Sequence, residues 1–316
     1  MSDAILFDRD EVDHLDLTDR PPRLGNGQLL WVDVARGSDG AREVVETFSL
    51  DDRTAQHLET AHDRPVFADH GDYLHITTCA PRDDEADELQ TIECVVGESW
   101  VVTVHDHSIP VLDEFAARAS GSGDTGALDG PGFLAALLEW LLGAYTAAFE
   151  KVEQDLEDFD THAMRGEAVA DDIELLIERR QKVGKLRRAL AAHRTTLVAL
   201  THPELVLLGN DASSERFERL YDRYEATLQE ARDAREAIVG SFDVLIARDG
   251  QATNQIMKVL TLVSVILLPG ALLAGVMGMN FRVGLFEHEF LFWVVLGVIV
   301  CVAPVTVLVA KRRGWI

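Results

Sequence analysis

Asn280 and the glycine two positions before it stand at the end of a long apolar segment and offer the chemistry of a weak cation site. The carboxamide oxygen of Asn280 can accept hydrogen bonds from the water shell of a hydrated cation, and Gly278 leaves its backbone carbonyl open to the same ion. Carboxylates at this place would bind the ion more tightly and slow its release. The tripeptide Gly278-Met279-Asn280 therefore offers dipoles that can hydrogen-bond the water shell of a hydrated cation without removing it.

The segment that carries this tripeptide is long enough to cross a membrane. Residues 254–280 contain about 20 apolar or small residues with no charge after Lys258, and a helix of that length spans a hydrocarbon core of about 30 Å. A second apolar segment covers residues 290–310, and the basic residues 311–313 follow it. The two segments predict a transmembrane hairpin.

One face of the first segment forms a stripe at steps of three or four residues, which is the spacing of a single helical face. We call it the pore stripe, and its members are Asn254, Met257, Leu260, Ser264, Leu268, Ala271 and Gly275. The stripe has no charged ligand that could replace the water shell of Mg²⁺, so it suits a hydrated ion that passes an apolar constriction. Ordinary packing between helices is the alternative interpretation.

The tripeptide at the end of the first of two C-terminal apolar helices resembles the signature of the CorA family of divalent-cation channels. The approach to it is also similar to that family, through Thr253-Asn254, residues 257–261 and Pro269. Residues around Arg64-Pro65 and residues 164–204 extend the resemblance over most of the chain.

The resemblance implies an α+β chain with a cytosolic N-terminal α/β domain, a long helical stalk and a C-terminal two-helix transmembrane hairpin, assembled as a homopentameric funnel. It implies a channel or transporter for Mg²⁺, with Co²⁺ or Ni²⁺ as further candidates, and no enzymatic activity. Gly278, Met279 and Asn280 would form the outer selectivity site. No cofactor is implied beyond the divalent cation that is transported and that also regulates the channel.

A regulatory metal site is implied with Asp243, eleven residues before Asn254, where the family has an aspartate that faces the neighbouring subunit. Its expected partners are Asp83 and Asp84 of an acidic loop. Carboxylates that meet across an interface repel each other unless a divalent ion bridges them, so cytosolic Mg²⁺ would close the channel. A solvated position on the helix is the alternative interpretation of Asp243.

The outer loop departs from the magnesium-type sequences of the family, which continue with a Met-Pro-Glu-Leu-like segment after the tripeptide. Here Glu287, His288 and Glu289 could attract cations or bind a softer ion such as Zn²⁺, or they could form a simple solvated loop. This departure raises a ZntB-like Zn²⁺ transporter as the alternative function. A membrane-anchored scaffold without transport is the third hypothesis.

Charge predicts the partners and the orientation. The chain has 316 residues and a net charge of −25, and its first 250 residues hold 52 acidic and 24 basic residues, a net charge of −28. Such a domain attracts cations and repels nucleic acid, so we expect no nucleic-acid partner. The acidic N-terminus contains no apolar run typical of a signal peptide. With basic residues at Lys258 and at residues 311–313, we expect a multi-pass protein of the inner, cytoplasmic membrane with both termini in the cytoplasm.

The predicted organisation has an α/β domain at residues 1–130, with strands at 28–34, 73–78, 90–96 and 99–105 and a helix at 50–61 capped by Asp51 or Asp52. Residues 131–212 are helical, and Glu139 favours a buried core helix over a third membrane span. A long stalk helix covers 213–257 and continues without a break into the pore-lining span at 258–279. An outer loop at 280–289, a second span at 290–310 and a basic cytosolic segment at 311–316 complete the chain.

Overall fold

The computed structural model describes residues 3–8, 11–15, 24–25, 27–60, 65–81, 89–121, 128–165, 172–202, 205, 207, 211–279 and 289–313. The chain divides into two compact units, Met1–Ser241 and Phe242–Ile316. The first unit contains a sheet with helices on both faces, and the second contains two apolar helical segments.

A seven-stranded sheet forms the centre of the first unit, in the order β2-β1-β3-β7-β6-β5-β4. The β3–β7 pair is parallel, whereas the other neighbouring strands of the described sheet are antiparallel. The strands are β1 (Asp3–Asp8), β2 (Glu11–Leu15), β3 (Gln28–Ala35), β4 (Phe67–Asp69), β5 (Leu74–Pro81), β6 (Leu89–Val96) and β7 (Trp100–His105).

The four strands predicted from runs of β-branched and aromatic residues are confirmed as β3, β5, β6 and β7, within a few residues at each end. Strands β1, β2 and β4 were not predicted. β1 has only four apolar residues between Asp3 and Asp8, β2 contains Glu11 and Asp13, and β4 has only three residues. Ala4 and Phe7 of β1 are nevertheless buried, because β1 lies between β2 and β3 and not at the edge of the sheet.

Two short helices, α1 (Asp39–Thr47) and α2 (Asp52–Glu59), cover one face of the sheet. Val44 of α1 and Leu58 of α2 pack with Val32, Val95 and Val104 in one apolar core. The predicted cap of α2 is confirmed, because the side chain of Asp51 accepts hydrogen bonds from the backbone of Arg53 and Thr54 at 2.7 and 2.8 Å.

Longer helices cover the opposite face, beginning with α3 (Pro110–Gly121) and α4 (Gly130–Arg165). The ring of Phe133 on α4 lies 5.2 Å from that of Trp31 on β3 and 5.4 Å from that of Phe115 on α3, measured between centroids. α4 is long and apolar enough to cross a membrane, yet 61% of its most apolar window is buried inside the protein. The prediction of a buried core helix is therefore confirmed.

Two further helices follow, α5 (Asp172–Ala192) and α6 (Arg194–Leu200), and His193 separates them. The side chain of His193 competes for the helical hydrogen bonds. Its ring Nδ1 donates to the carbonyl of Ala189 at 2.6 Å, and its backbone amide donates instead to Leu190 at 3.2 Å. Here the ring of His193 takes the carbonyl that its own backbone amide would otherwise use, and the two helices are separated at this residue.

The last two helices are α7 (Asp211–Met277), which has 67 residues, and α8 (Glu289–Arg312). The expectation of an unbroken helix from the polar stalk into the apolar span is confirmed, and α7 contributes residues to both units. Pro269 lies inside α7 and does not end it. Phe217, Leu220 and Tyr224 of its first part are buried in the first unit.

Candidate ion pathway

The second unit presents apolar surface of the kind that faces lipid or other transmembrane helices. Among the described residues, the later part of α7 and the segment Phe292–Arg312 of α8 have the length and composition of membrane spans, and their most apolar windows are not buried in the single chain. Large apolar side chains such as Leu268, Leu272 and Trp293 are more than half exposed there. A water-soluble protein rarely exposes apolar surface of this extent.

α7 uses two opposite faces in this unit. The face toward α8 holds half-buried residues, and a Cβ added at Gly270 would lie 3.4 Å from Cγ2 of Ile299 on α8. All seven residues of the pore stripe are exposed. At about 100° per residue, the pore stripe lies on the side of α7 opposite to the half-buried set, whose members are Leu262, Ile266, Pro269, Gly270, Leu273 and Met277. The pore stripe is thus turned away from α8.

The polar groups of the pore stripe suit contact with water better than direct contact with a metal. The hydroxyl of Ser264 donates to the carbonyl of Leu260 at 2.8 Å, so its oxygen lone pairs remain to accept from water. Asn254 adds one exposed carboxamide at the start of the stripe. Met257, Leu260 and Leu268 supply the apolar surface in between. The described stripe contains no carboxylate that would hold a dehydrated ion.

The end of α7 forms the described part of the predicted mouth. The amide of Gly278 donates to Ala274 at 2.9 Å and that of Met279 donates to Val276 at 3.3 Å, so the chain continues to turn after Met277. A Cβ at Gly278 would lie only 3.3 Å from the carbonyl oxygen of Ala274. The last turn of α7 contains no basic residue. The partial negative charge at this helix end therefore attracts cations without a charged side chain. Asn280 itself lies outside the described residues.

Asp243 lies at the start of the second unit on α7, and its side chain is exposed. It precedes Asn254 by eleven residues, which is about three helical turns, so it lies on the same face of α7 as the pore stripe. Its predicted partners, Asp83 and Asp84, lie outside the described residues. The outer-loop residues Glu287 and His288 do so as well, and Glu289 begins α8 with a side chain that is not described. The regulatory and outer-loop sites therefore remain predictions.

His105 and His107 at the end of β7 form a further candidate metal site, and the hydrogen bonds of the His105 ring test it. The ring of His105 bonds to the carbonyl of His107 at 2.7 Å through Nδ1 and to the carboxylate of Asp33 at 3.0 Å through Nε2. Both partners are acceptors, so both ring nitrogens must carry a hydrogen. Burial lowers the pKa of His105, but the hydrogen bond and charge of Asp33 outweigh it and raise the pKa. A ring in this state has no lone pair for a metal.

Within the described ranges, no group of three or more His, Cys, Asp or Glu side chains is placed to hold a metal ion. The described pathway therefore offers dipoles and an apolar wall, and any cation that follows it would do so with its water shell.

Known proteins are similar to this chain over most of its length. The family model "CorA-like Mg2+ transporter protein" matches residues 26–312. The cobalt/magnesium transport protein CorA of Methanocaldococcus jannaschii is 23% identical over 92% of this chain and 92% of its own length. The protein of the same description from Thermotoga maritima is 22% identical over 90% of this chain and 83% of its own length.

Solved structures share the fold. The complete structure of the CorA magnesium transporter from Methanocaldococcus jannaschii superimposes with a TM-score of 0.79 at 22% identity, and covers 99% of this chain and 98% of that chain. The ZntB cytoplasmic domain from Vibrio parahaemolyticus superimposes with a TM-score of 0.62 at 12% identity over 78% of this chain and 98% of that domain. With a sheet domain, a long helix that the sequence continues with Gly278-Met279-Asn280, and a second apolar helix, this chain belongs to the CorA-like Mg²⁺ transporter family.

Proposed function

We propose that this protein is a homopentameric channel that moves Mg²⁺ across the cytoplasmic membrane, with Co²⁺ or Ni²⁺ as further substrates. The observation that carries the proposal is the pore stripe, which is uncharged, exposed along its whole length and turned away from α8. The names of the curated relatives, cobalt/magnesium transport proteins, support the choice of ion.

Several copies are needed because two helices cannot enclose a pore. In a ring of chains, each α7 would place its pore stripe toward the axis and each α8 would lie outside it, toward lipid. The exposed apolar residues of both helices would then be covered by lipid or by neighbouring helices. The number five follows from the family resemblance. Both termini would lie in the cytoplasm, because the basic residues 311–313 follow the second span.

The ion would cross with its water shell. At the outer mouth, Asn280 carboxamides and the C-terminal carbonyls of α7 would accept hydrogen bonds from that shell. The apolar side chains of Met257 and Leu260 would form a constriction that opens by admitting water and closes by excluding it. On the cytosolic side, the acidic domain would raise the local concentration of divalent cations.

Regulation would use the carboxylate of Asp243. Because Asp243 lies on the same helix and the same face as the pore stripe, a change in its charge would act on the proposed wall of the pore through α7. Mg²⁺ bound between Asp243 and the loop with Asp83 and Asp84 of a neighbouring copy would hold the subunits in closed packing. Loss of that ion would let the carboxylates repel each other and open the constriction.

A Zn²⁺ transporter is the second candidate. Two observations favour it: the fold similarity to a ZntB cytoplasmic domain, and the Glu287-His288-Glu289 sequence in place of the magnesium-type outer loop. Imidazole and carboxylate together suit Zn²⁺ better than Mg²⁺. A membrane-anchored scaffold is less well supported, because an anchor does not require an uncharged stripe that ends in Gly278-Met279-Asn280.

Ion flux into proteoliposomes tests the proposal, with Mg²⁺, Co²⁺, Ni²⁺ and Zn²⁺ offered one at a time. We expect Mg²⁺ uptake well above that of empty vesicles, with slower uptake of Zn²⁺. Uptake of Zn²⁺ alone would replace the magnesium assignment with the ZntB-like one, and uptake of no cation would favour the scaffold.

A further inference from the structure

The exposed face of α5 is a feature of the first unit for which the ion pathway has no use. Six of the 29 Lys and Arg residues of the chain fall within residues 179–188, although the net charge of the chain is −25. Exposed residues at helical spacing, together with the half-buried Gly184, form a face that we call the basic stripe. Its members are Ile173, Ile177, Arg180, Gln181, Gly184, Lys185 and Arg188.

The basic stripe points away from the core of the unit. Leu176, Val183 and Leu190 on the other side of α5 are buried. An open concavity runs along the stripe, since Gly184 has no side chain, and Nη1 of Arg188 lies 3.5 Å from the place where a Cβ of Gly184 would be. Arg188 thus leans over the gap that the glycine leaves.

The cations of the stripe lack the ion pairs that a neighbouring base has. Arg179 lies 2.9 Å from Asp155 of α4, between Nε and Oδ2. In the part of the chain that the structure describes, no carboxylate makes an ion pair with Arg180, Lys185 or Arg188. Their charge is therefore available to a partner outside the chain.

The chemistry of the stripe indicates a protein partner. The dipole of α5 does not account for these cations, because its last turn contains no basic residue, and it does not explain two isoleucines on the same face. Ile173 is 51% exposed and Ile177 is 44% exposed. Apolar residues beside arginine are typical of protein interfaces. A helix that lies in a membrane surface has a wider apolar face, often with aromatic residues, which this stripe lacks.

An acidic surface lies elsewhere in the same unit. Residues 150–160 of α4 hold six acidic residues and one lysine. We call the group around them on α4 and α7 the acidic cluster, and its members are Glu150, Glu153, Glu157, Glu230 and Asp233. Burial raises the pKa of Glu153, and the charges of Asp233, Glu230, Glu150 and Glu157 raise it further. Such mutual repulsion would be relieved by cations from a partner.

The two surfaces lie on different faces of the unit. Asp155 of α4 faces α5, where it pairs with Arg179. Counted at about 100° per residue, Glu150, Glu153 and Glu157 lie roughly 150° around α4 from Asp155. A chain with complementary surfaces on two different faces associates head to tail, and such an interface generates a closed ring when the rotation between copies closes.

We infer that the basic stripe of one copy docks on the acidic cluster of a neighbouring copy, with Ile173 and Ile177 at the apolar centre of the contact. The inference rests on the proposed function only in that a pore requires several copies. The contact would lie outside the membrane and would add to the association of the apolar helices. Because its rim is ionic, its strength should fall as salt rises.

Charge reversal in the full-length protein tests this inference. One variant carries Arg180→Glu, Lys185→Glu and Arg188→Glu, and a second carries Glu150→Lys, Glu153→Lys and Glu157→Lys. The mass of each detergent-solubilised protein is measured by light scattering over a range of protein and salt concentrations at fixed Mg²⁺. We expect each variant to dissociate at protein concentrations about tenfold or more above wild type at low salt. The combined variant should regain the wild-type oligomer.

A matched control reverses three exposed bases that lie outside the stripe, Arg42→Glu, Arg53→Glu and Arg219→Glu, and it should associate as wild type does. A stripe variant that associates as wild type would overturn the inference. A combined variant that associates no more strongly than the two single-surface variants would overturn it as well. A stripe variant could instead keep the wild-type oligomer but lose the dependence of its Mg²⁺ flux on the phosphatidylglycerol content of the vesicles. That result would assign the stripe to the membrane surface. A monomeric wild-type protein would refute the multi-chain pore itself, so the two failures are distinct.

Discussion

Replacing Asn280 with Ala is expected to abolish Mg²⁺ uptake into proteoliposomes while the oligomer forms as before. The carboxamide of Asn280 is proposed to accept hydrogen bonds from the water shell of the ion, and a methyl group cannot do so. The effect on the rate should exceed about tenfold, which corresponds to about 1.4 kcal/mol or more in the barrier. Asn280→Asp should also slow uptake, because a carboxylate holds the ion more tightly and delays its release.

Gln251→Ala is the matched control for Asn280→Ala. It removes an exposed carboxamide from α7 at a position off the pore stripe, so uptake should remain near that of wild type. Light scattering shows whether each variant assembles. Wild-type uptake by an assembled Asn280→Ala protein would remove the selectivity role of this residue.

Replacing Asp243 with Lys is expected to hold the protein in its closed packing without Mg²⁺. The lysine supplies a permanent positive charge at the place where the regulatory ion is proposed to bind, so repulsion between carboxylates no longer drives opening. A ligand shifts such an equilibrium only by its differential affinity for the two states, so the variant should respond little to added Mg²⁺. Limited proteolysis over a series of Mg²⁺ concentrations measures this. Wild-type protein should become resistant as Mg²⁺ rises, and Asp243→Lys should be resistant throughout.

Asp249→Lys adds the same charge to an exposed position of α7 about 120° around the helix from Asp243. It should keep the wild-type dependence on Mg²⁺. If wild-type protein gains no protection from Mg²⁺, regulation by cytosolic Mg²⁺ is absent, and a constitutively open or zinc-type transporter becomes the better account. If Asp249→Lys resists proteolysis without Mg²⁺ as fully as Asp243→Lys does, the resistance results from the change in net charge and not from a specific site.

Periodicity predicted the elements with the strongest patterns. The cap at Asp51, the unbroken α7 and the burial of α4 all follow from residue types at helical spacing. β1 has a short apolar run and β2 has charges among its apolar residues, and only the pairing of β1 with β3 and of β2 with β1 explains why they are strands. The break at His193 depends on which carbonyl its ring reaches, and residue types do not reveal that.

The pore stripe could be read from spacing, but its relation to α8 could not. A face of small and apolar residues is equally suited to packing against a helix and to lining a pore, and the position of Gly270 against Ile299 shows that α8 packs on the opposite face. The basic stripe had a signal in the sequence, the six bases in residues 179–188 of an acidic chain. That these bases share one exposed face could be recognised only once the buried side of α5 was known.

The central claim is that the pore stripe is the wall of the ion path, and thiol accessibility measures it most directly. In a Cys301→Ala background, the remaining cysteines are poor targets, because burial raises the pKa of Cys79 to about 11 and that of Cys94 further still. Ser264→Cys places a thiol on the pore stripe, and Ile266→Cys places one on the face toward α8. A positively charged methanethiosulfonate reagent should block Mg²⁺ uptake by Ser264→Cys and leave uptake by Ile266→Cys unchanged. The account would be contradicted if the reagent blocked Mg²⁺ uptake by Ile266→Cys and left uptake by the modified Ser264→Cys protein unchanged.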